Sequence, residues 1–164
     1  MLDNQKKIWI TGASSGIGKA LAEKFAFEGW KVAVSARRKE ILDDMANNEN
    51  ISSYPLDVIN QDQVNNISSK IINDFDGLDL CVFSSGTYDP KLEQKINIEQ
   101  NKFVMETNFF GVLYCIKSVE KYFKDKKNGH ISIVSSVAAY RGLPNSSGYG
   151  PSKAALTNLS ESLY

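Results

Sequence analysis

Apolar positions follow two alternating rhythms along this chain. Short runs rich in β-branched residues predict strands, and stretches with apolar residues three and four apart predict helices. Residues 6–11 (KKIWIT) predict a first strand, and 16–28 a helix with Ile17, Leu21 and Phe25 on one face and Gly29 closing it. Residues 31–36 predict a second strand, 38–46 a short helix and 51–56 a third strand. Residues 60–75 carry Val64, Ile67, Ile71 and Ile72 on one side and predict a helix. Residues 78–84 are apolar almost throughout, as in a strand covered on both faces. A polar loop from Gly86 to about Ile98 precedes one long helix over about 99–124. A fifth strand over 129–136, a loop of small residues over 137–147 and a last helix over about 148–164 complete the pattern.

Strand, helix, strand, repeated through short connections, predicts an α/β fold with an open parallel sheet. Right-handed crossovers put helices on both faces, giving three αβα layers, and ligands then bind at the carboxyl ends of the strands. The length of 164 residues fits one domain, 1–164, with no internal repeat or linker.

Charge narrows the partners. Nineteen basic and nineteen acidic residues balance to a formal net charge of zero, without a long run of one sign. Neither nucleic acid nor an anionic membrane is expected as the main partner. No stretch has the length of a signal peptide's apolar region or of a membrane span. Cys81 and Cys115 sit in apolar segments without metal-ligand spacing, which suits buried thiols in a reducing cytosol, so a cytoplasmic location is expected. His130 opens the fifth strand at the amino edge of the sheet, away from ligands, and is given no role. One histidine permits neither a Ser-His-Asp triad nor a histidine metal cluster, and no metal is expected.

Five features carry candidate chemistry. Thr11-Gly12-Ala13-Ser14-Ser15-Gly16-Ile17-Gly18 lies between the first strand and the first helix. Its glycines let the backbone approach a phosphate closely, and the helix N-terminus offers free N–H groups and partial positive charge. After the second strand, Ala36 stands where an acidic residue would favour NAD, and Arg37 and Arg38 follow. Guanidinium groups suit a 2′-phosphate, so NADP is read over NAD. Asp57, just past the third strand, is placed to accept a bond from an adenine amino group while Val58 packs on the ring; a helix-capping or turn aspartate fits it equally well.

Tyr149 and Lys153 stand four apart at the start of a helix and share a face. An ammonium beside a phenol favours the phenolate, and a phenol so tuned can give or take the proton of a carbonyl or alcohol oxygen. Ser136, at the end of the fifth strand, can hydrogen-bond the same oxygen. Asn108 is a poor interior helix residue and either faces something polar or bridges helix turns as a buried amide.

Together these residues resemble the short-chain dehydrogenase/reductase family. TGASSGIG resembles its cofactor loop, Tyr149-Gly-Pro-Ser-Lys153 its YxxxK motif, and Asn108, Ser136, Tyr149 and Lys153 its Asn-Ser-Tyr-Lys tetrad. The resemblance implies a Rossmann-type doubly wound sheet of order 3-2-1-4-5 and an NADP(H)-dependent oxidoreductase of carbonyl and alcohol substrates. It implies Tyr149 as general acid–base, Lys153 as the group that lowers its pKa and bonds the nicotinamide ribose, and Ser136 as the residue that positions the substrate oxygen. Asn108 would hold a proton-relaying water. Gly12, Ser14, Ser15, Gly16, Ile17 and Gly18 would cradle the pyrophosphate, Arg37 and Arg38 the 2′-phosphate, Asp57 and Val58 the adenine, and Gly86 the nicotinamide ribose. Family members often assemble through the helices corresponding to 99–124 and 148–164, so a homo-oligomer is expected.

Two departures stand out. The family's usual Asn-Asn-Ala-Gly after strand four reads Phe83-Ser84-Ser85-Gly86 here, so the asparagine's packing role lacks its usual side chain. Family chains also run on past YxxxK through two further strands, a substrate loop and a lid, whereas this sequence reaches Tyr164 within the helix. The expected consequences are a fifth strand exposed as an apolar edge and catalytic groups that give little or no turnover in these 164 residues. The alternative reading is a non-catalytic NADP(H)-binding module or an inactive fragment of a longer reductase.

Overall fold

A computed structural model describes residues 5–163; Met1–Asn4 and Tyr164, the end of the expected last helix, lie outside them. Five parallel strands, β1 (Lys7–Thr11), β2 (Lys31–Ser35), β3 (Ile51–Ser53), β4 (Leu80–Phe83) and β5 (His130–Ile133), form one sheet in the order β3-β2-β1-β4-β5. The helices are α1 (Gly16–Phe27), α2 (Lys39–Met45), α3 (Gln61–Phe75), α4 (Ile98–Met105), α5 (Gly111–Lys126) and α6 (Tyr149–Ser162). This is the doubly wound architecture that the alternating rhythms predict.

Side chains alternate across each strand and divide the core in two. Ile8 and Ile10 of β1, Val32 and Val34 of β2 and Val82 of β4 pack with Ala22 and Ala26 of α1 and Leu42 of α2. Trp9, Ala33, Cys81 and Phe83 point the other way, onto Val64 and Ile71 of α3, Val112 and Cys115 of α5 and Leu156 of α6. Each fully buried Ile or Leu contributes about 1.5–3 kcal/mol relative to exposure. Trp9 anchors the second layer: its ring meets Phe83 edge-on at 5.5 Å, and its Nε1 donates to Ser35 Oγ at 3.0 Å. Both cysteines are buried free thiols, and burial holds each thiol's pKa well above the ordinary range.

Four elements differ from the sequence expectation. β4 keeps only Leu80–Phe83 of the expected 78–84. β3 ends at Ser53 instead of residue 56. Tyr54 N and Leu56 N still donate to Val34 O and Ala36 O, and Pro55 between them takes the position whose N–H would face the open edge of the sheet, where proline costs the ladder nothing. β5 ends at Ile133, although Val134 N donates once more, to Phe83 O. The long helix expected over 99–124 is continuous but carries a wide π turn, Glu106–Phe110, between α4 and α5. Such a turn inserts an extra residue into the helical ladder. It buries Asn108 and brings Gly111 against Val58, where a β-carbon would stand 2.7 Å from Val58 Cγ2. Among the described residues no helix is long and apolar enough to cross a membrane.

Candidate active site

The carboxyl ends of the strands open on a cleft of about 430 Å³. Its wall runs from Gly12, Ser14, Ser15, Ile17 and Gly18 past Arg37 and Arg38 to Asp57 and Val58, then across Gly86 to Tyr149 and Lys153. Twelve of the residues singled out in the sequence therefore share one surface. Gly16, Asn108 and Ser136 do not line it.

The glycine loop is shaped by close approach. Gly12 has φ +68, and a β-carbon on it would lie 2.8 Å from the backbone of Ser84 and Ser85. A β-carbon on Gly18 would lie 2.5 Å from Gly12 O and 2.6 Å from Ser84 Oγ. Ser84 itself donates from Oγ to Thr11 O at 2.6 Å, linking the end of β4 to that of β1. A short hydroxyl thus fills the position where the family's larger asparagine is usual. Ser15 N-caps α1 without a side-chain hydrogen bond, so no side chain competes for the helix's first N–H groups. Arg38 arches over the loop, its Nη2 2.9 Å from Ser14 Oγ and 3.0 Å from Ser15 Oγ. Arg37 makes no hydrogen bond or ion pair among the described residues. Asp57 is held by its backbone N–H, which donates to Gln63 Oε1 at 2.9 Å.

At the far end of the cleft, α6 sets the second group. Tyr149, Lys153 and Leu156 recur on one face of the helix; Leu156 is buried in the core and turns that face toward the sheet. Lys153 is 4% exposed, its Nζ donates to Val134 O at 2.8 Å, and the ammonium stands 5.7 Å from the centroid of the Tyr149 ring. Ser135 fastens this part of the helix to the end of β5: its Oγ donates to Lys153 O at 3.0 Å and shares a hydrogen bond of 2.7 Å with Thr157 Oγ1. Ser136, one residue on, accepts Ala138 N–H at 3.2 Å and caps the short 3₁₀ turn Val137–Ala139.

Burial lowers the pKa of Lys153 below the ordinary lysine range. Between that depressed value and the ordinary one, the unfolded chain binds the proton that the folded chain has lost, so folding stability rises with pH there and falls as pH drops through the folded value. Thermal melts of the unsubstituted chain and of Lys153→Met are expected to diverge in pH dependence: only the lysine form gains stability through this alkaline window. Parallel curves would show that the folded state imposes no burial cost on the ammonium.

Asn108 is fully buried behind the cleft. Its Oδ1 accepts Thr87 N–H at 2.7 Å, and its Nδ2 donates to Thr87 O at 3.0 Å and to Ser152 Oγ at 3.1 Å. Ser152 Oγ in turn donates to Tyr149 O at 2.7 Å. Both side-chain donors are thus spent on protein partners, and the amide acts as a brace between the loop after β4 and the first turn of α6. A water-holding role through those donors has no geometry to support it. A β-carbon on Gly86 would stand 3.4 Å from Asn108 Oδ1 and 3.6 Å from Lys153 Nζ, so the three meet at the floor of the cleft.

Sequence reasoning passed over Tyr88, Glu93, Ser135 and Ser152. Tyr88 lies against Tyr149, ring centroids 4.6 Å apart, and its hydroxyl donates to Asn145 O at 3.0 Å. Ser152 has a signal in hindsight, since it stands inside the Tyr149–Lys153 interval. The polar loop that holds Tyr88 and Glu93 has none.

Comparisons with known proteins agree with this fold. A protein of Arabidopsis thaliana, 11-beta-hydroxysteroid dehydrogenase 1A, is 35% identical over 165 residues, spanning 96% of this chain and 47% of that one. A short-chain dehydrogenase from Streptomyces avermitilis superposes with a TM-score of 0.89 at 27% identity, over 99% of this chain and 60% of its own. ElxO with NADP bound superposes with a TM-score of 0.87 at 30% identity, over 94% of this chain and 65% of its own. The chain spans about half to two thirds of the length of these relatives. The pattern of the short chain dehydrogenases matches residues 6–164, from the first strand into the last helix, and the chain belongs to that family.

Proposed function

We propose that this chain is the NADP(H)-binding and catalytic part of an oxidoreductase that interconverts carbonyl and alcohol groups on a small molecule. The observation that carries the reading is the single cleft that holds the glycine loop at one end and the Tyr149–Lys153 pair at the other. The uncapped N-terminus of α1 fits a pyrophosphate, and the guanidinium of Arg38 over Ser14 with Arg37 beside it fits a 2′-phosphate. When bound, the nicotinamide supplies or accepts the hydride.

The chain's own groups handle the proton. Lys153, held by Val134 O, keeps its ammonium beside the Tyr149 ring. Tyr149 is thereby suited to give a proton to a carbonyl oxygen or take one from an alcohol. Ser136, whose hydroxyl proton is not used in accepting Ala138 N–H, orients the substrate oxygen. Asp57 and Val58 receive the adenine, and Gly86 leaves room at the ribose. Two buried free thiols suit a reducing, cytoplasmic setting. Phe103 and Phe110, exposed along α4 and the wide turn, favour that helix pair as a contact between copies.

Titration with NADPH, followed by its consumption in the presence of a carbonyl panel, tests the reading. Saturable binding with carbonyl-dependent oxidation supports it; binding without turnover favours a non-catalytic NADP(H)-binding module or an inactive fragment of a longer reductase. The two arginines separate by a further measurement. Arg37→Ala is expected to weaken NADPH binding about 10- to 100-fold, the loss of a charge-assisted hydrogen bond, with NADH binding unchanged. Arg38→Ala releases the Ser14–Ser15 loop as well and is expected to weaken both cofactors. Equal losses for NADPH and NADH in Arg37→Ala would take that residue away from the 2′-phosphate.

A further inference from the structure

Glu93 is a buried carboxylate that no step above uses. It is 2% exposed, although it lies in a loop with exposed neighbours on both sides. Asp89 shapes that loop: its Oδ1 accepts Lys91 N–H at 2.9 Å, and its carbonyl accepts Leu92 N–H at 3.1 Å and Glu93 N–H at 3.3 Å. The turn sends the Glu93 side chain inward, to the start of α6. There Oε2 accepts two backbone N–H groups, Gly148 at 2.8 Å and Tyr149 at 3.0 Å.

The local sequence explains why an outside group caps this helix. The residue at the N-cap is Gly148, which has no side chain to accept an N–H. A β-carbon there would stand 3.1 Å from both Cα and Oδ1 of Asn101, so a capping serine or aspartate does not fit without displacing α4. The first turn also lacks an acidic residue of its own. A carboxylate reaching in from the loop before α4 satisfies two of the orphan donors, beside Ser146 Oγ, which accepts Gly150 N–H at 3.0 Å, and meets the partial positive charge of the helix end. The cost is visible: Glu93 Oε1 is buried without a partner among the described residues. A stretch of surface loop that sinks a carboxylate at such cost is constrained by what the carboxylate holds.

What it holds is the residue that bears the phenol. Tyr149 is the first residue of α6, and its position has few other restraints. Tyr88 limits its ring from one side and Ser152 receives its carbonyl, but of these contacts only Glu93 fixes its N–H. We propose that Glu93 is a positioning residue that fixes the first turn of α6 and so sets where the Tyr149 phenol stands above Lys153. This inference rests on the reading of Tyr149 as the acid–base group, which it deepens by naming the group that aims it.

The test compares Glu93→Ala and Glu93→Gln with the unsubstituted chain, at a temperature where circular dichroism shows all three folded. Displacement of a reacting group by about an ångström costs about 100-fold in rate, so Glu93→Ala is expected to lower kcat about 10- to 100-fold. Cofactor Kd and substrate KM should hold within about twofold, since the glycine loop and arginines lie at the other end of the cleft. Glu93→Gln keeps an oxygen that accepts both N–H groups and is expected to recover kcat to within about threefold of the original. A Glu93→Ala chain that melts earlier yet turns over at the original kcat would overturn the proposal, leaving a cap that serves stability alone. If Tyr149→Phe leaves the rate unchanged, the acid–base reading fails separately, and where these 164 residues give no turnover the rate is replaced by a structural readout. The ring-carbon resonances of Tyr149, sensitive to the current of the Tyr88 ring, then decide on Glu93. A shift in Glu93→Ala that reverses in Glu93→Gln supports positioning, and unmoved resonances overturn it.

Discussion

Tyr149→Phe is expected to lower carbonyl reduction about 100- to 10,000-fold, the usual contribution of a positioned general acid–base, while NADPH affinity stays within about threefold. That range corresponds to about 3–5 kcal/mol of transition-state stabilisation. The substitution removes one oxygen and nothing else that the structure uses. The phenylalanine ring keeps the face that lies 4.6 Å from Tyr88, and the backbone contacts with Glu93 and Ser152 do not involve the phenol. Lys153 keeps its bond to Val134 O. Single-turnover reduction with enzyme in excess, beside a fluorescence titration of NADPH, separates the two quantities. An unchanged rate would remove the phenol from the reaction; a parallel loss of affinity would make it a binding group.

Asn108→Ala is expected to show in stability more than in chemistry. The amide satisfies both backbone groups of Thr87 and the hydroxyl of Ser152 in a fully buried place. Alanine leaves those partners without their protein contact, at about 3 kcal/mol in total. For a chain of this length that lowers Tm by about 6–12 °C. Asn108→Asp keeps the acceptor for Thr87 N–H but sets a buried carboxylate oxygen against Thr87 O, and should lower Tm at least as far as alanine does. A melt that is the same in all three would mean that the brace between the loop after β4 and α6 carries no load.

Most of the architecture was legible because it rests on local alternation. Ile8, Trp9 and Ile10 in succession already declare a strand with two covered faces, and the structure sends the first and third to one layer and the second to the other. The glycine loop was legible because its spacing falls between a strand and a helix. Pro55 stood in plain view, yet only the sheet order shows that its missing N–H faces the open edge beside β3. Asn108 was conspicuous as a poor helix residue, but its partner Thr87 is 21 positions away and no local pattern joins them. Glu93 carried no signal at all. A carboxylate in a polar loop reads as solvated, and only the arrival of a glycine-capped helix end beside it in space makes burial worthwhile. Ser84 shows the converse case, a departure from the family's usual residue that is answered by a short hydroxyl bond to Thr11 O.

The wide turn at Glu106–Phe110 makes the count of residues between Asn97 and Lys126 an inflexible quantity. Each residue of a helix advances the angular phase by about 100°, and the extra one here keeps two phases in step that a uniform helix would set against each other. Upstream, Val104 is in the core and Asn101 lies against Gly148; downstream, Val112, Cys115 and Val119 are in the core. Deleting one residue within the turn would close it to a regular helix that keeps both halves in phase but moves Asn108 off its buried partners, and adding one more would rotate one half away from the sheet. Length variation among proteins that share this arrangement should therefore gather in the loop before Asn97 and avoid the helix pair, even at its solvent-facing positions.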